Sequence, residues 1–407
     1  MNPFTRLYQK AVGAYRFIQD YGQHLPLVAK AIFDFSCTVM TIRGSIRGSD
    51  DSVVLLYVGR RWNEEFLLNL FFDSHEILFC DDVNVFTARA RSEVLARDAD
   101  IEIIDIGWPY GGRFKKRQHY LEFADWLNMV LPLKGDWDDI VRSFRNTTRN
   151  NDLRLIRRNE YRFEVTNDQR IIESFYDDMY VPSASHRHGA ASIVAPRKHV
   201  LKRAQQGELL QIYMENQLVI AGVIYPEDDV LYFLWQGSPS RFQERPAEAA
   251  ASALYYFGIR YAFDHDMTAV DFAGTRAFLD FGDFRFKRKW GAMVDDSFSP
   301  NSVLLRPLNN HDNTILMCES IPLIARSDDG LEAVIVRSGK TANTEMLERL
   351  AKNYNCAGLD RILVIAVSDE APGTLASREI RGRDFKVIQC EQDQFSGYYV
   401  GRSSAAH

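Results

Sequence analysis

The spacing of hydrophobic positions changes period along this chain, and the changes mark out its elements. Residues 53–59, 76–80 and 101–106 are short apolar runs of strand length, and they predict three strands. Residues 92–97 are helix-compatible between them, Tyr110-Gly111-Gly112-Arg113 reads as a turn, and residues 118–129 have helical spacing. Asp136 is a good helix N-cap, with Asp139 three residues later in a capping-box position. Ile140, Phe144 and Thr148 then share one helical face, and Arg142, Arg145 and Arg149 share another. Further helices are predicted over 168–180 and 198–206. After these the period shortens to two. Residues 208–215, 218–225 and 230–237 are joined by Asn216-Gln217 and Glu227-Asp228-Asp229, which predicts an antiparallel meander. Pro246 sits just inside the start of a helix reaching about residue 263, rich in alanine at 249–251 and 253. A strand over 268–272 follows, and then a basic-aromatic strand over 284–290. The last stretch holds strands at 332–336 and 361–367 around a helix at 344–354, one βαβ unit.

These patterns divide the 407 residues into three stretches. Residues 1–134 form an α/β domain, 135–300 the chemically informative domain, and 301–407 a small α/β extension of unassigned role. With 46% hydrophobic and 26% charged residues, disorder is not the default state. The net charge of −6 excludes a global basic field for DNA, so any anion site is local. Five scattered cysteines without CxxC or histidine spacing argue against structural zinc or a disulfide framework. They read as buried free thiols of a reducing compartment. The first 21 residues have no signal-peptide core, and the apolar run 66–72 is too short to cross a bilayer, so a cytoplasmic protein is expected.

Several familiar motifs fail. Ser338-Gly339-Lys340-Thr341 imitates the end of a phosphate loop, but Val334 stands where the pattern needs glycine. Gly44-Ser45-Ile46-Arg47-Gly48 does not centre its serine and is no nucleophile elbow. What remains is a basic run and an ordered set of elements. Between Arg142 and Arg162 there are seven arginines and two acids, Asp152 and Glu160, too lopsided for simple pairing along a helix. That run is either a solvated face or a phosphate-binding one.

The order of helices, three-strand meander, long helix, strand and basic-aromatic strand resembles the GNAT acyltransferase arrangement. The residues carry the likeness further. Tyr255-Tyr256, Ile259-Arg260-Tyr261-Ala262, Asp271-Phe272-Ala273-Gly274-Thr275-Arg276 and Phe286-Lys287-Arg288-Lys289-Trp290-Gly291 resemble the closing pattern of FemAB-like and cellulose-biosynthesis-associated acetyltransferases. The basic helix with Arg145, Arg149 and Arg154, Val181-Pro182, and His186-Arg187-His188-Gly189 fit the same domain, so the resemblance spans about 135–295. It implies an α/β (α+β) fold with a central mixed, largely antiparallel sheet flanked by helices, and two tandem GNAT-like halves. It also implies transfer of an acyl or aminoacyl group to an amine or hydroxyl acceptor, in cell-envelope or exopolysaccharide synthesis for many relatives. The donor would be acyl-coenzyme A, with aminoacyl-tRNA as the alternative, and no metal is called for.

In such folds the third meander strand and the strand after the long helix splay apart around the donor. Here that means 230–237 and 268–273, with 237–246 as the loop at the helix start. This loop has no glycine after Gly237 and contains two prolines, which removes the usual backbone donors for a pyrophosphate. The resemblance assigns Lys287 an electrostatic role on phosphate or on the oxyanion that develops at the attacked carbonyl. Arg145, Arg149, Arg154, Arg241, Arg276 and Arg285 are the phosphate-binding candidates. General-base candidates are His186, His188, Asp271 and Asp280. Each has a plainer reading: exposed loop histidines, and for Asp271 a strand-end carboxylate holding Arg276. Phe284, Phe286 and Trp290 read as core. A non-catalytic GNAT-like module for a phosphorylated or polyanionic partner is the rival function.

Overall fold

The computed structural model describes residues 35–59, 61–107, 110–111, 114, 119–188, 194–297, 301–339, 343–368, 375–380 and 382–400. Lys340 and Thr341 of the failed phosphate loop, and Gly112 and Arg113 of the expected turn, lie outside them. The chain forms a mixed α/β structure of two compact units. Residues 128–274 and 285–294 make the second unit, and the remainder the first.

The strands fall into three groups along the chain. The first group is β1 (Ser36–Ile46), β2 (Ser52–Gly59), β3 (Phe72–Asn84), β4 (Ile101–Asp105) and β5 (Leu121–Ala124). The second is β6 (Leu127–Pro132), β7 (Arg162–Thr166), β8 (Glu208–Met214), β9 (Gln217–Glu227), β10 (Val230–Gly237), β11 (Ala269–Thr275) and β12 (Met293–Asp295). The third is β13 (Ser302–Pro307), β14 (Leu323–Ser327), β15 (Gly330–Ser338), β16 (Arg361–Val367), β17 (Leu375–Ile380) and β18 (Arg383–Cys390).

The first and third groups build one eleven-stranded sheet, ordered β17-β18-β16-β15-β14-β5-β13-β4-β2-β1-β3. This differs from the three consecutive domains expected, because β13 hydrogen-bonds to β4 and β5 and so binds the last stretch into the first. Within this sheet β1 and β2 form an antiparallel hairpin, and β2 runs parallel to β4 after the helix Val85–Leu95. The β2–β4 ladder holds at five positions, from Leu55 opposite Ile101 to Gly59 opposite Asp105, the last residue of each strand. The expected βαβ unit is β15, the helix Thr344–Tyr354 and β16, with the two strands parallel.

Residues 119–129 are not helical, and Gln118 lies outside the described residues. Leu121 and Phe123 are buried in β5 with Glu122 half-buried between them, and pairing with β13 and β14 overrides the local helical spacing. Inside the first unit, Arg276 is buried and paired with Asp125, its guanidinium between the rings of Phe66 (4.4 Å) and Trp126 (4.1 Å). Burial pulls its pKa down and the neighbouring Asp125 opposes that shift.

The second unit is a seven-stranded sheet, β12-β6-β11-β10-β9-β8-β7. β8, β9 and β10 form the expected antiparallel meander, with Glu215, Asn216 and Asp228 at positive φ in its turns. The long helix Ala250–Asp264 packs against β8 and β9 through its buried side. The helices Gln169–Ser174 and Arg197–Gln206, with the π-helical segment Phe175–Tyr180, close a separate core around Ile172, Val200 and Val223. The long helix begins four residues later than Pro246 suggests. Ala249 is left-handed (φ 64°), and the turn before it is tied down by Tyr161, whose hydroxyl donates to the Glu248 carbonyl at 2.6 Å. Glu248 also pairs with Arg158.

Candidate functional site

The second unit contains an opening in its sheet, and the chain builds it in steps. β10 follows β9 by the turn at Asp228 and is paired with it from Val230 to Gly237, with one extra residue between Phe233 and Gln236. That bulge bends the strand. β11 returns parallel to β10 after the long helix, but the ladder holds at only three positions: Val230 with Ala269, Leu231 with Val270, and Tyr232 with Asp271. β10 then continues to Gly237 and β11 to Thr275 without pairing to each other. This is the splayed pair expected from the resemblance, with Asp271 at the fork.

An aromatic cluster fixes the long helix against the sheet. Tyr255 stacks on Phe272 at 4.8 Å, Phe233 lies 5.3 Å from Tyr255, and Phe286 meets Tyr255 edge-on at 4.9 Å. Trp290 is fully buried beside Phe144, 5.2 Å between ring centres. Gly291 is left-handed (φ 80°), and a Cβ there would come within 2.6 Å of Ser143 Oγ, so the Trp-Gly pair of the closing motif is a packing requirement.

The closing segment is not a strand. Gly282–Arg288 is a short helix, with Phe284, Lys287 and Arg288 buried at spacings of three and four. These buried positions follow a helical face and not the two-residue period of the expected strand. Arg285 is exposed on this helix. Lys287 is 5% exposed, and its Nζ donates to the Gly274 carbonyl at 2.8 Å and reaches the Ala273 carbonyl at 3.5 Å. Asp271, also buried, accepts from the Ala273 N–H on Oδ1 (2.7 Å) and from Asn128 Nδ2 on Oδ2 (2.6 Å). Asp271 and Lys287 therefore both grip Ala273, and Lys287 holds Gly274 as well. Asp271 accepts from Asn128, and Arg276 pairs with Asp125.

The arginine-rich stretch is not one helix. Trp137–Ser143 has the expected capping box at Asp136 and Asp139, but Phe144 is extended (ψ 148°), and the chain resumes as a π-helical turn Thr148–Asp152 and a helix Leu153–Arg158. The break exists because the Arg145 N–H donates to the Lys289 carbonyl (3.0 Å) instead of within its own helix. Thr148 Oγ1 donates to the same carbonyl at 3.1 Å. The Lys289 ammonium donates to Asp152 (2.9 Å) and Ser252 (3.1 Å), while Ser252 donates to Asp152 at 2.6 Å. One lysine thus joins the arginine stretch, the closing helix and the first turn of the long helix. Arg145 and Arg149 are half-buried, the latter donating to Asn146, and Arg154 is exposed.

Arg241 is exposed, donating to the Leu218 carbonyl (3.3 Å) with its guanidinium over Phe242. His186 is exposed on the helix Val181–His188, and the side chain of His188 lies outside the described residues. Arg276 and Asp280 belong to the first unit, where Asp280 accepts from the Tyr354 hydroxyl at 3.0 Å. Sequence reasoning missed Asn128, Asp152 and Ser252. Each meets its partner across about a hundred residues or more, and no local pattern signals such a contact.

Among the described residues no cluster of histidine, cysteine or carboxylates could hold a metal ion, and no helix is long and apolar enough to cross a membrane. No family model matches the chain, and no curated protein does. Solved structures similar to it include FemX, at 14% identity and a TM-score of 0.35, covering 62% of this chain and 80% of that one. L-PGS from Bacillus licheniformis is similar at 11% identity and a TM-score of 0.31, covering 65% and 80%. A GCN5-related N-acetyltransferase from Sphaerobacter thermophilus is similar at 11% identity and a TM-score of 0.31, covering 62% and 71%.

Proposed function

We propose that the chain is an acyltransferase of the FemAB-like GNAT type, with its acyl donor in the opening between β10 and β11. The observation that carries this reading is the ladder that stops after three positions on a hairpin–long helix–strand scaffold. Past Tyr232 and Asp271 the facing edges of the two strands are no longer paired to each other, and a donor rich in amides can add there as a strand adds to a sheet. Acyl-coenzyme A fits this frame. Its pantetheine amides suit the strand edges, and its diphosphate suits the first turn of the long helix, which has no side-chain cap at Ala249. When bound, it supplies a thioester carbonyl. The acceptor amine or hydroxyl attacks that carbon, the new C–N or C–O bond forms, the C–S bond breaks, and the acceptor's proton goes to the departing thiolate.

A second reading concerns the donor. The exposed Arg154, Arg157 and Arg285, together with the glycine-poor loop before the long helix, favour a longer polyanion such as aminoacyl-tRNA. One experiment separates these. Thermal unfolding of the purified chain is followed with acetyl-coenzyme A, long-chain acyl-coenzyme A and aminoacyl-tRNA. A donor at a hundred times its Kd stabilises the fold by about 2.7 kcal/mol. Binding of the tRNA donor would fall steeply with salt, and that of a small thioester far less. No stabilisation by any donor overturns the proposal, and binding without transfer to any amine or hydroxyl acceptor makes the chain a binding module.

A further inference from the structure

The fork depends on one backbone feature. β11 leaves β10 directly after Asp271, and two residues later Ala273 is left-handed (φ 61°), a conformation that side chains other than glycine rarely take. Something must hold it there. Asp271 Oδ1 accepts the Ala273 N–H at 2.7 Å, closing a tight side-chain turn over it. Asn128 on β6 steadies that carboxylate from the other side. The Lys287 ammonium then takes the two carbonyls that the turn leaves pointing together, those of Ala273 and Gly274. A lysine buried to 5% exposure and set on backbone carbonyls is placed to orient the chain rather than to meet solvent.

We propose that Lys287 is a positioning residue: with Asp271 and Asn128 it holds the left-handed turn at Ala273 that swings β11 away from β10 and keeps the donor cleft open. This replaces direct contact with phosphate or oxyanion as its role, and it rests on the acyltransferase reading only for the identity of what enters the cleft. Lys287 acts through Ala273 and Gly274, so its loss changes the cleft for every donor alike.

The test uses the full chain with two donor probes, acetyl-coenzyme A and acetyl-pantetheine, the second lacking every phosphate. Lys287→Met is expected to weaken both by the same factor, about tenfold, because what is lost is preorganisation of the cleft. Lys287→Met combined with Ala273→Gly is expected to recover most of both affinities, since glycine takes the left-handed turn without strain. A penalty confined to acetyl-coenzyme A would overturn the proposal in favour of phosphate contact, and failure of the glycine to rescue would also overturn it. Should Lys287→Met not fold, Ala273→Val with Lys287 intact carries the test, and equal weakening of both probes is again expected. Hydrogen exchange separates this proposal from the acyltransferase reading. Without any donor, Lys287→Met (or Ala273→Val) is expected to speed exchange at residues 273–275, and unchanged exchange there overturns the positioning role even if no donor is ever found.

Discussion

At the scale of single residues, the aromatic cluster sets narrow tolerances. A Cβ built on Gly258 lies 1.8 Å from Phe233 Cζ, and that ring is held by Tyr255 and Phe272 and cannot swing aside. Gly258→Ala is therefore expected to destabilise the fold by about 1–3 kcal/mol, read as a lower urea midpoint. Tyr161 gives a pH signature. Burial pushes its hydroxyl up to about 12 from the ordinary 10.0. The protonated form is the one the fold favours, so its contribution is complete below pH 10 and is lost as pH rises towards 12. Urea unfolding between pH 9 and 11.5 should show stability falling with pH, and Tyr161→Phe should make that fall shallower; an unchanged slope would remove Tyr161 from the account. Lys287 and Asp271 were legible in the sequence as residues of note. Their joint work on Ala273 was not, because a left-handed alanine leaves no mark in a sequence and Asn128 stands 143 positions from its partner.

At the scale of elements, local chemistry predicted what local chemistry controls. The capping box at Asp136 and Asp139 is present, so Asp136→Ala should cost about 1 kcal/mol in chemical denaturation. The meander was readable because alternation and turn residues agree over three consecutive strands. Failures came where a distant partner decides. Residues 121–124 became a strand because β13 and β14 pair with them, and the arginine helix broke because Lys289 takes the Arg145 N–H. Lys289 joins three elements through its carbonyl and ammonium. Lys289→Met leaves the half-buried Asp152 with Ser252 alone, and a loss of roughly 1.5–3 kcal/mol in denaturation midpoint measurements is expected for hydrogen bonds to a charged group.

At the scale of the whole molecule, each unit carries a hairpin followed, after a helix, by a strand parallel to its second member. In the first unit that parallel ladder runs to the last residue of both strands; in the second it stops after three positions. The first unit therefore offers no fork between β2 and β4. In it Arg276 is buried and paired with Asp125, and Asp125→Ala, which takes a carboxylate away from that buried guanidinium, is expected to cost about 3–5 kcal/mol in unfolding measurements. The eleven-stranded sheet has a further consequence, in time rather than in space. Its central strands β5 and β4 need β13, which is made nearly two hundred residues later, whereas almost all of the second unit lies in one uninterrupted run. On a growing chain the second unit can finish folding while the first still waits for its missing middle. A chain truncated just past residue 300 and released should then hold a protease-resistant second unit and an unfinished first.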